Sequence, residues 1–474
     1  MSNMKRITSL LMLLVVACAS PSYPGIDNPS MGGNNSQKDK DIIAYIDSRL
    51  EAEYLWLDEV ERKVNTFDRG VAWKDYLGGV LSRLTTNTDD GYVNAKGQRL
   101  YYSYIREISN PLTRAQVTGL GIDMHTTIVF YDKENNYYGF IIEDVLVGSP
   151  AAEAGIRRGD IIAKINNSYI TPQNYVSLFN KVQVNGNLSS ADLMILRRVG
   201  DSGEAETFNV KLTAAPFSEC MVSHSEVIEG SKRVGYIVYT GFESSSDEAL
   251  LTALQEFDAA GVDEVIIDLR INGGGAVSSA QMLASALLPA SYEGSVLCEA
   301  RRNPKNMMSA TSEEFPLLPC DVHLDLDHLT VITSVQSASA SELLIVGLRG
   351  LDIPVTVVGD VTNGKNCGMD VTRRTIDGVY LEYAPITFMC LNAKGYGGWG
   401  DGIQPDVDVV AIDESYPLPL APWGSQYDVA LMAALESVGC SVGGATRAVP
   451  CESVEPVATI AEPVVGMRLY PEGE

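Results

Sequence analysis

Four short runs of β-branched and other apolar residues set the strongest limit on what this chain can fold into: VGYIVYT (234–240), EVIIDLR (264–270), LTVITS (329–334) and VTVVG (355–359). Between the first two lies DEALLTALQEFDAAG (247–261). Its apolar spacing reads as a helix closed by Gly261, the residue type that best tolerates the left-handed turn after a helix. A parallel strand partner is reached only through a crossover, so strands alternating with helices argue for an α/β layer with largely parallel pairing. At 474 residues the chain is too long for one core, and several domains are expected.

The segments before and after this layer differ in pattern. Apolar residues at 42, 43, 46, 50, 54 and 57 follow helical spacing between Asp39 and Val60, and a second helical stretch runs from Trp73 to Leu84. These predict a small helical N-terminal unit over 39–115. From Gly119 the β-type runs TTIVFYD and YGFIIEDV lead into GSPAAEAGIRRGDIIAKINN (148–167). There Pro150 opens a short helix where its missing N–H costs nothing, Gly155 ends it, Gly159-Asp160 turns, and IIAKI alternates as a strand. This stretch resembles a PDZ domain of the bacterial protease type, expected over 116–216. The resemblance makes Gly119, Leu120, Gly121 and Ile122 the loop that receives a peptide carboxylate beside an exposed strand edge. The α/β layer is expected over 230–415. The remainder, 416–474, holds one helix from Tyr427 to Val438 and a Val-, Pro- and Glu-rich tail without expected regular structure.

The N-terminus reads as an export signal. Lys5 and Arg6 precede an apolar run, Ile7 to Ala17, too short to span a bilayer. Val15-Val16-Ala17-Cys18 resembles a bacterial lipobox, which implies a signal peptide over 1–17 and a lipid anchor on Cys18. Residues 18–38 then serve as a flexible tether. The expected location is the cell envelope, as a membrane-anchored lipoprotein of the outer membrane facing the periplasm. A formal charge of −26 argues against a nucleic-acid partner, because phosphate binding needs a basic surface. The seven cysteines beyond Cys18 are widely spaced, and the four histidines (125, 224, 323, 328) have no ligand spacing, so neither a metal nor a cofactor is expected.

The chemistry is concentrated in SVQSASASELLIVGL (334–348). Ser339-x-x-Glu342 matches a capping box, in which hydroxyl and carboxylate satisfy the first backbone N–H groups of a helix. The same position suits a nucleophile, because free N–H groups and the positive helix end favour a developing oxyanion. No His follows His328 and no G-x-S-x-G occurs, which excludes the Ser–acid–His order of the α/β-hydrolases. A lysine can replace the His as base if burial disfavours its ammonium form. Lys365, in VVGDVTNGKNCG just past a strand, is the candidate. Gly273-Gly274-Gly275, after the EVIID strand, lets backbone approach a substrate closely, although a plain glycine turn has the same composition.

Together these segments resemble the carboxyl-terminal processing (tail-specific) serine peptidases. The motifs are the PDZ signature, D-L-R-x-N-x-G-G (268–275), S-A-S-A-S-E (337–342), V-V-G-x-x-T-x-G-K (357–365) and G-I-x-P-D (402–406), in that order. The resemblance implies a multidomain α/β protein: a helical N-terminal unit, a PDZ domain and a Clp-protease/crotonase-like catalytic core. It implies Ser339 as nucleophile, Lys365 as general base, Glu342 as orienting partner, and the N–H groups of Gly274 and Ala340 as oxyanion hole. The substrates implied are peptides or exported, unfolded or tail-marked proteins. Three departures stand out: an extra residue between Ser and Lys, placed around 350–354; Met369 where a Gln is often found; and an acidic partner beyond the helix for which Asp352 is the candidate.

Two other motifs fall away on context. Gly359 to Lys365 matches a phosphate-binding loop, but Asn366 replaces the metal-binding Ser/Thr and a strand pattern follows instead of a helix; Gly395, Gly397 and Gly400 lack a strand-to-helix setting. The remaining alternative is a scaffold of the same fold that binds peptide tails without cutting them.

Overall fold

A computed structural model of the chain describes residues 36–93, 99–108, 117–183, 186–198, 205–412, 420–442, 456–459 and 468–469. The expected signal segment, Cys18, most of the tether and Cys451 lie outside the described residues.

The N-terminal helical stretch is two helices, not one. Helix α1 (Gln37–Glu53) opens on a capping box between Ser36 and Asp39, and α2 (Leu57–Lys63) follows after a break. The break has a cause. Tyr54 turns extended (φ −58°, ψ 136°) so that its hydroxyl reaches buried Asp90, and Leu55 gives its N–H to the carbonyl of Ile386. With α3 (Trp73–Leu81), these helices share one apolar cluster with Cys367, Met369, Leu381, Tyr383 and Ile386, all downstream of Lys365. The unit is therefore built onto the strands that follow Lys365.

The second lobe is a β-sheet whose central members are Ile122–Asp132, Tyr137–Val145, Ile161–Ile165, Ser190–Arg198 and Ala205–Thr213, paired antiparallel. The short helix α4 (Pro150–Glu153) begins at Pro150, and Gly155 (φ 76°) and Gly159 (φ 83°) supply the turns. A longer helix, α5 (Tyr175–Val182), packs Phe179 and Val182 into the core of this lobe.

The third part is the α/β layer. Its sheet runs Val222–Glu229, Arg233–Tyr239, Glu264–Asp268, Leu329–Thr333, Val355–Gly359, Val407–Asp408, and only the first pair is antiparallel. Helices α6 (Asp247–Ala260), α7 (Val277–Leu287) and α8 (Ala340–Gly350) cover one face, and α9 (Val429–Ser437) covers the other. Burial on both faces explains the continuous apolar runs of the strands. As expected, α6 ends on Gly261 in the left-handed conformation (φ 62°). The carboxyl ends of neighbouring parallel strands, at 268, 333 and 359, lie side by side. Open α/β sheets build their sites at that edge.

Among the described residues no helix is long and apolar enough to cross a membrane. Cys220, Cys298, Cys320, Cys367, Cys390 and Cys440 are free thiols. The tail, read from sequence as irregular, contains two short strands, Pro456–Thr459 and Arg468–Leu469.

Candidate active site

The three loops at that sheet edge meet around Ser339. The Leu329–Thr333 strand delivers the loop 334–339, and Ser339 stands immediately before α8 with φ 62° and ψ −109°. A non-glycine residue in this region stores about 1–3 kcal/mol of strain, which persists only where the surroundings over-determine it. They do here. The Ser337 hydroxyl donates to the carbonyl of Leu269 (2.7 Å), and that of Ser341 to the carbonyl of Asn272 (2.9 Å). Ala338 N–H also donates to Asn272 (3.1 Å). The tight serine spacing is thus resolved: the outer two hydroxyls pin the turn to the glycine loop, and Ser339 sits at the bend between them.

Glu342 joins this bend to the lysine loop. One carboxylate oxygen accepts the N–H of Ser339 (2.7 Å) and of Lys365 (2.9 Å). The other accepts the N–H of Gly364 (2.7 Å) and the hydroxyl of Thr362 (2.5 Å). Burial pushes the Glu342 carboxyl up to about 7, against the pull of these four donors. Lys365 is itself buried, with Nζ 4.4 Å from the centre of the Tyr102 ring. Tyr102 comes from the N-terminal unit, and its hydroxyl donates to Asn363 (2.8 Å). Beside it lies Asp90, fully buried, whose carboxyl is pushed up by burial against the pull of its donors and of the Lys365 charge; it accepts the hydroxyls of Tyr54 and Ser103 and the N–H groups of Tyr102 and Ser103.

Gly274 lies against the serine: a Cβ there would come 2.8 Å from the Ala338 carbonyl oxygen and 2.9 Å from Ser339 Cβ, and its φ is 101°. Its N–H, however, donates to the side chain of Asn272 (2.8 Å). The expected oxyanion donor is therefore engaged in this conformation, held by an Asn that also donates to the carbonyl of Tyr239. Ala340, the other expected donor, is the first residue of α8, where helix N–H groups lack intrahelical partners. Asp352 is remote from the site: it is exposed and pairs with Lys394. Met369, where a Gln is often found, is buried in the apolar cluster of the N-terminal unit. The polar surroundings of Lys365 come instead from Asp90 and Tyr102, which carry no motif and were missed from sequence.

Gly119, Leu120, Gly121 and Ile122 lie together in the second lobe, away from this cluster. Gly121 (φ 79°) packs on Ser149, and the carbonyls of Leu120 and Gly121 accept N–H groups of Ala151 and Leu146. The lobe is nevertheless wired to the serine loop. Gln336 donates to Glu143 (3.3 Å), which also holds His125 (2.9 Å). Buried Arg158 donates to the carbonyls of Glu143 and Ala421 and stacks 3.8 Å over Trp423, whose indole N–H donates to Asp144. Among the described residues no group of His, Cys, Asp or Glu is placed to hold a metal ion.

Residues 233–409 match the family model of Peptidase family S41, and residues 141–187 match that of a PDZ domain. A probable CtpA-like serine protease of Staphylococcus saprophyticus is 23% identical over 412 residues, spanning 85% of this chain and 73% of that protein. The counterpart in Staphylococcus aureus is 24% identical over 293 residues, and there the match spans 61% of this chain and about half (52%) of the relative. Among solved structures, a protein of Bacteroides fragilis assigned as an S41 protease shares the fold with a TM-score of 0.67 at 22% identity, covering 83% of this chain and 97% of that one.

Proposed function

We propose that this chain, a serine peptidase of family S41 that carries a PDZ domain, cuts exported, unfolded or tail-marked polypeptides with a Ser339–Lys365 dyad. The observation that carries the reading is the Glu342 clamp: one buried carboxylate fixes the backbone of both Ser339 and Lys365, so neither residue moves without the other. Neutral Lys365 takes the hydroxyl proton as Ser339 Oγ attacks the scissile carbonyl, and the ammonium returns that proton to the leaving amine. Water then hydrolyses the acyl-enzyme by the same route. The oxyanion lies at the N-terminal end of α8, against Ala340 N–H, with Gly274 N–H added once it leaves Asn272.

The PDZ domain captures the substrate C-terminus at Gly119–Ile122, with the chain added to the edge of the Ile122–Asp132 strand. The proposed division is a helical unit over 39–115, the PDZ domain over 116–216, the peptidase core over 230–415 and a C-terminal helix and tail over 416–474. Export as a lipoprotein anchored through Cys18 places the enzyme in the cell envelope.

Hydrolysis of an unstructured peptide tests the dyad. Ser339→Ala and Lys365→Ala each abolish cleavage while the fold persists, because both residues hold Glu342 through backbone N–H groups and either change leaves all four donors of the clamp in place. A wild-type protein that binds the peptide without cutting it would favour the inactive scaffold.

A further inference from the structure

The edge of the Ile122–Asp132 strand that Tyr137–Val145 leaves open is covered by the chain itself. Pro456–Thr459 pairs with it antiparallel, with Pro456 opposite Val129, Ala458 opposite Ile128 and Thr459 opposite Thr127. Pro456 stands at the first position of its strand, where the absent N–H does least harm to a ladder. This is the edge that starts at the Gly119–Ile122 loop, and the tail strand runs along it towards that loop. Nine residues after Thr459, Arg468 and Leu469 pair in parallel with Met369 and Asp370. That strand, Cys367–Asp370, begins two residues after Lys365, and Arg468–Leu469 also lies beside α7, the helix that follows the glycine loop. One segment thus touches both stations a captured polypeptide has to reach: the PDZ strand edge and the wall of the catalytic core.

We infer that the tail is a built-in ligand of this protein: its strand Pro456–Thr459 occupies the PDZ edge in cis and competes with substrate for it. The inference rests on the reading that this edge captures peptides. It also adds to that reading, because the occupant is an internal stretch, not a chain terminus. Three residues of the edge, Thr127 to Val129, are matched by backbone pairing, so the segments able to displace the tail are extended, unstructured ones of β-forming composition like PVAT. A two-strand pairing of this length is weak in isolation. Tethering compensates: with a local dissociation constant of about 0.1 mM and an effective concentration of about 1 mM, the tail fills the edge about nine-tenths of the time. Removing it should lower the apparent KM for a PDZ-dependent peptide about tenfold.

The test compares the full chain with a chain ending at Glu455, and with full-length Ala458→Pro, which removes a tail N–H without touching the lobes. In an otherwise inactive Ser339→Ala background, a labelled synthetic peptide of residues 455–470 should bind the truncated protein and the Ala458→Pro variant. It should bind the full chain about tenfold more weakly. In the active forms KM for an unstructured peptide should fall about tenfold on truncation, and the 455–470 peptide should raise it again competitively. Equal binding and equal KM in all three forms would overturn the inference, provided a substrate peptide binds and is cut. If substrate peptides bind none of the forms, the PDZ-capture reading fails first and the tail inference fails with it.

Discussion

Glu342 is the residue whose perturbation separates a tuned dyad from two residues that are merely close. Its four donors all point inward, two to each oxygen: Ser339 N–H and Lys365 N–H on one, Gly364 N–H and the Thr362 hydroxyl on the other. A carboxylate satisfies all four. A protonated carboxyl, or the amide of Glu342→Gln, must turn an O–H or N–H towards one of these pairs. Thr362 could turn its hydroxyl and accept through its second lone pair, the first taking the N–H of Ile403 (2.8 Å), but the Gly364 N–H beside it is backbone and cannot turn. Losing one charge-assisted hydrogen bond and opposing a second donor costs about 2–4 kcal/mol. Felt at the transition state, that is a drop of about 30-fold to about 1000-fold in kcat. Since burial raises the Glu342 carboxyl to about 7, wild-type activity should fall as pH drops through that value, whatever Lys365 does. Glu342→Gln should start from the reduced rate at pH 8 and show no limb near pH 7. The linkage sign gives a second readout. A carboxyl raised from 4.5 to about 7 contributes stability that is complete below pH 4.5 and lost as pH rises through 7, on the order of 3 kcal/mol for a fully buried group. Urea midpoints should therefore fall between pH 4.5 and 7 in the wild type and less steeply in the Gln variant. A folded Glu342→Gln protein within threefold of wild type at pH 8, or one that keeps the limb near pH 7, refutes the clamp.

Three further outcomes are expected. Gly274→Ala should cost at least 100-fold in kcat with little change in peptide binding, because the new methyl meets the Ala338 carbonyl and Ser339 Cβ below 3.0 Å at a φ of 101°; a variant with near-normal turnover would remove Gly274 from the site. Asp90→Asn keeps two hydroxyl partners, Tyr54 and Ser103, able to accept from the amide, but removes the anion facing Lys365. The lysine-dependent acid limb of kcat/KM should move to lower pH, read from a profile between pH 5.5 and 9.5 in the Glu342→Gln background; an unmoved limb means that Asp90 serves the fold alone. Cys18→Ala should shift the protein from the membrane fraction to the soluble envelope fraction or leave it unprocessed, and a variant still fully membrane-bound would end the lipid-anchor reading.

What could be read from sequence divides along one physical line. Strands buried on both faces announce themselves by composition, which is why VGYIVYT, EVIID, LTVIT and VTVVG emerge as neighbouring parallel strands and their ends fall together. Motifs built from residues adjacent in the chain were legible for the same reason: the S-x-S-x-S turn, the lysine loop and Glu342 three residues beyond Ser339. Groups that act from another unit left no local trace. Asp90 sits in an ordinary acidic turn and Tyr102 in the bend before the Tyr104–Glu107 strand, and only the packing of α1 and α3 onto the strands after Lys365 carries them to the lysine. The engagement of Gly274 by Asn272 was hidden differently: both belong to the motif, but an N–H can face an oxyanion or a side-chain carbonyl with the same residues in place. The tail shows the limit most clearly. Pro and Glu interrupt its Val-rich runs, so no strand is predicted there, and it gains strands because two other units supply edges at Val129 and Met369, more than 300 and nearly 100 residues away in the chain. Such short strands need a partner edge as well as propensity. A segment held in that way can be exchanged for a competing one of the same shape, which is the behaviour the proposed capture of peptides at the Ile122–Asp132 edge requires.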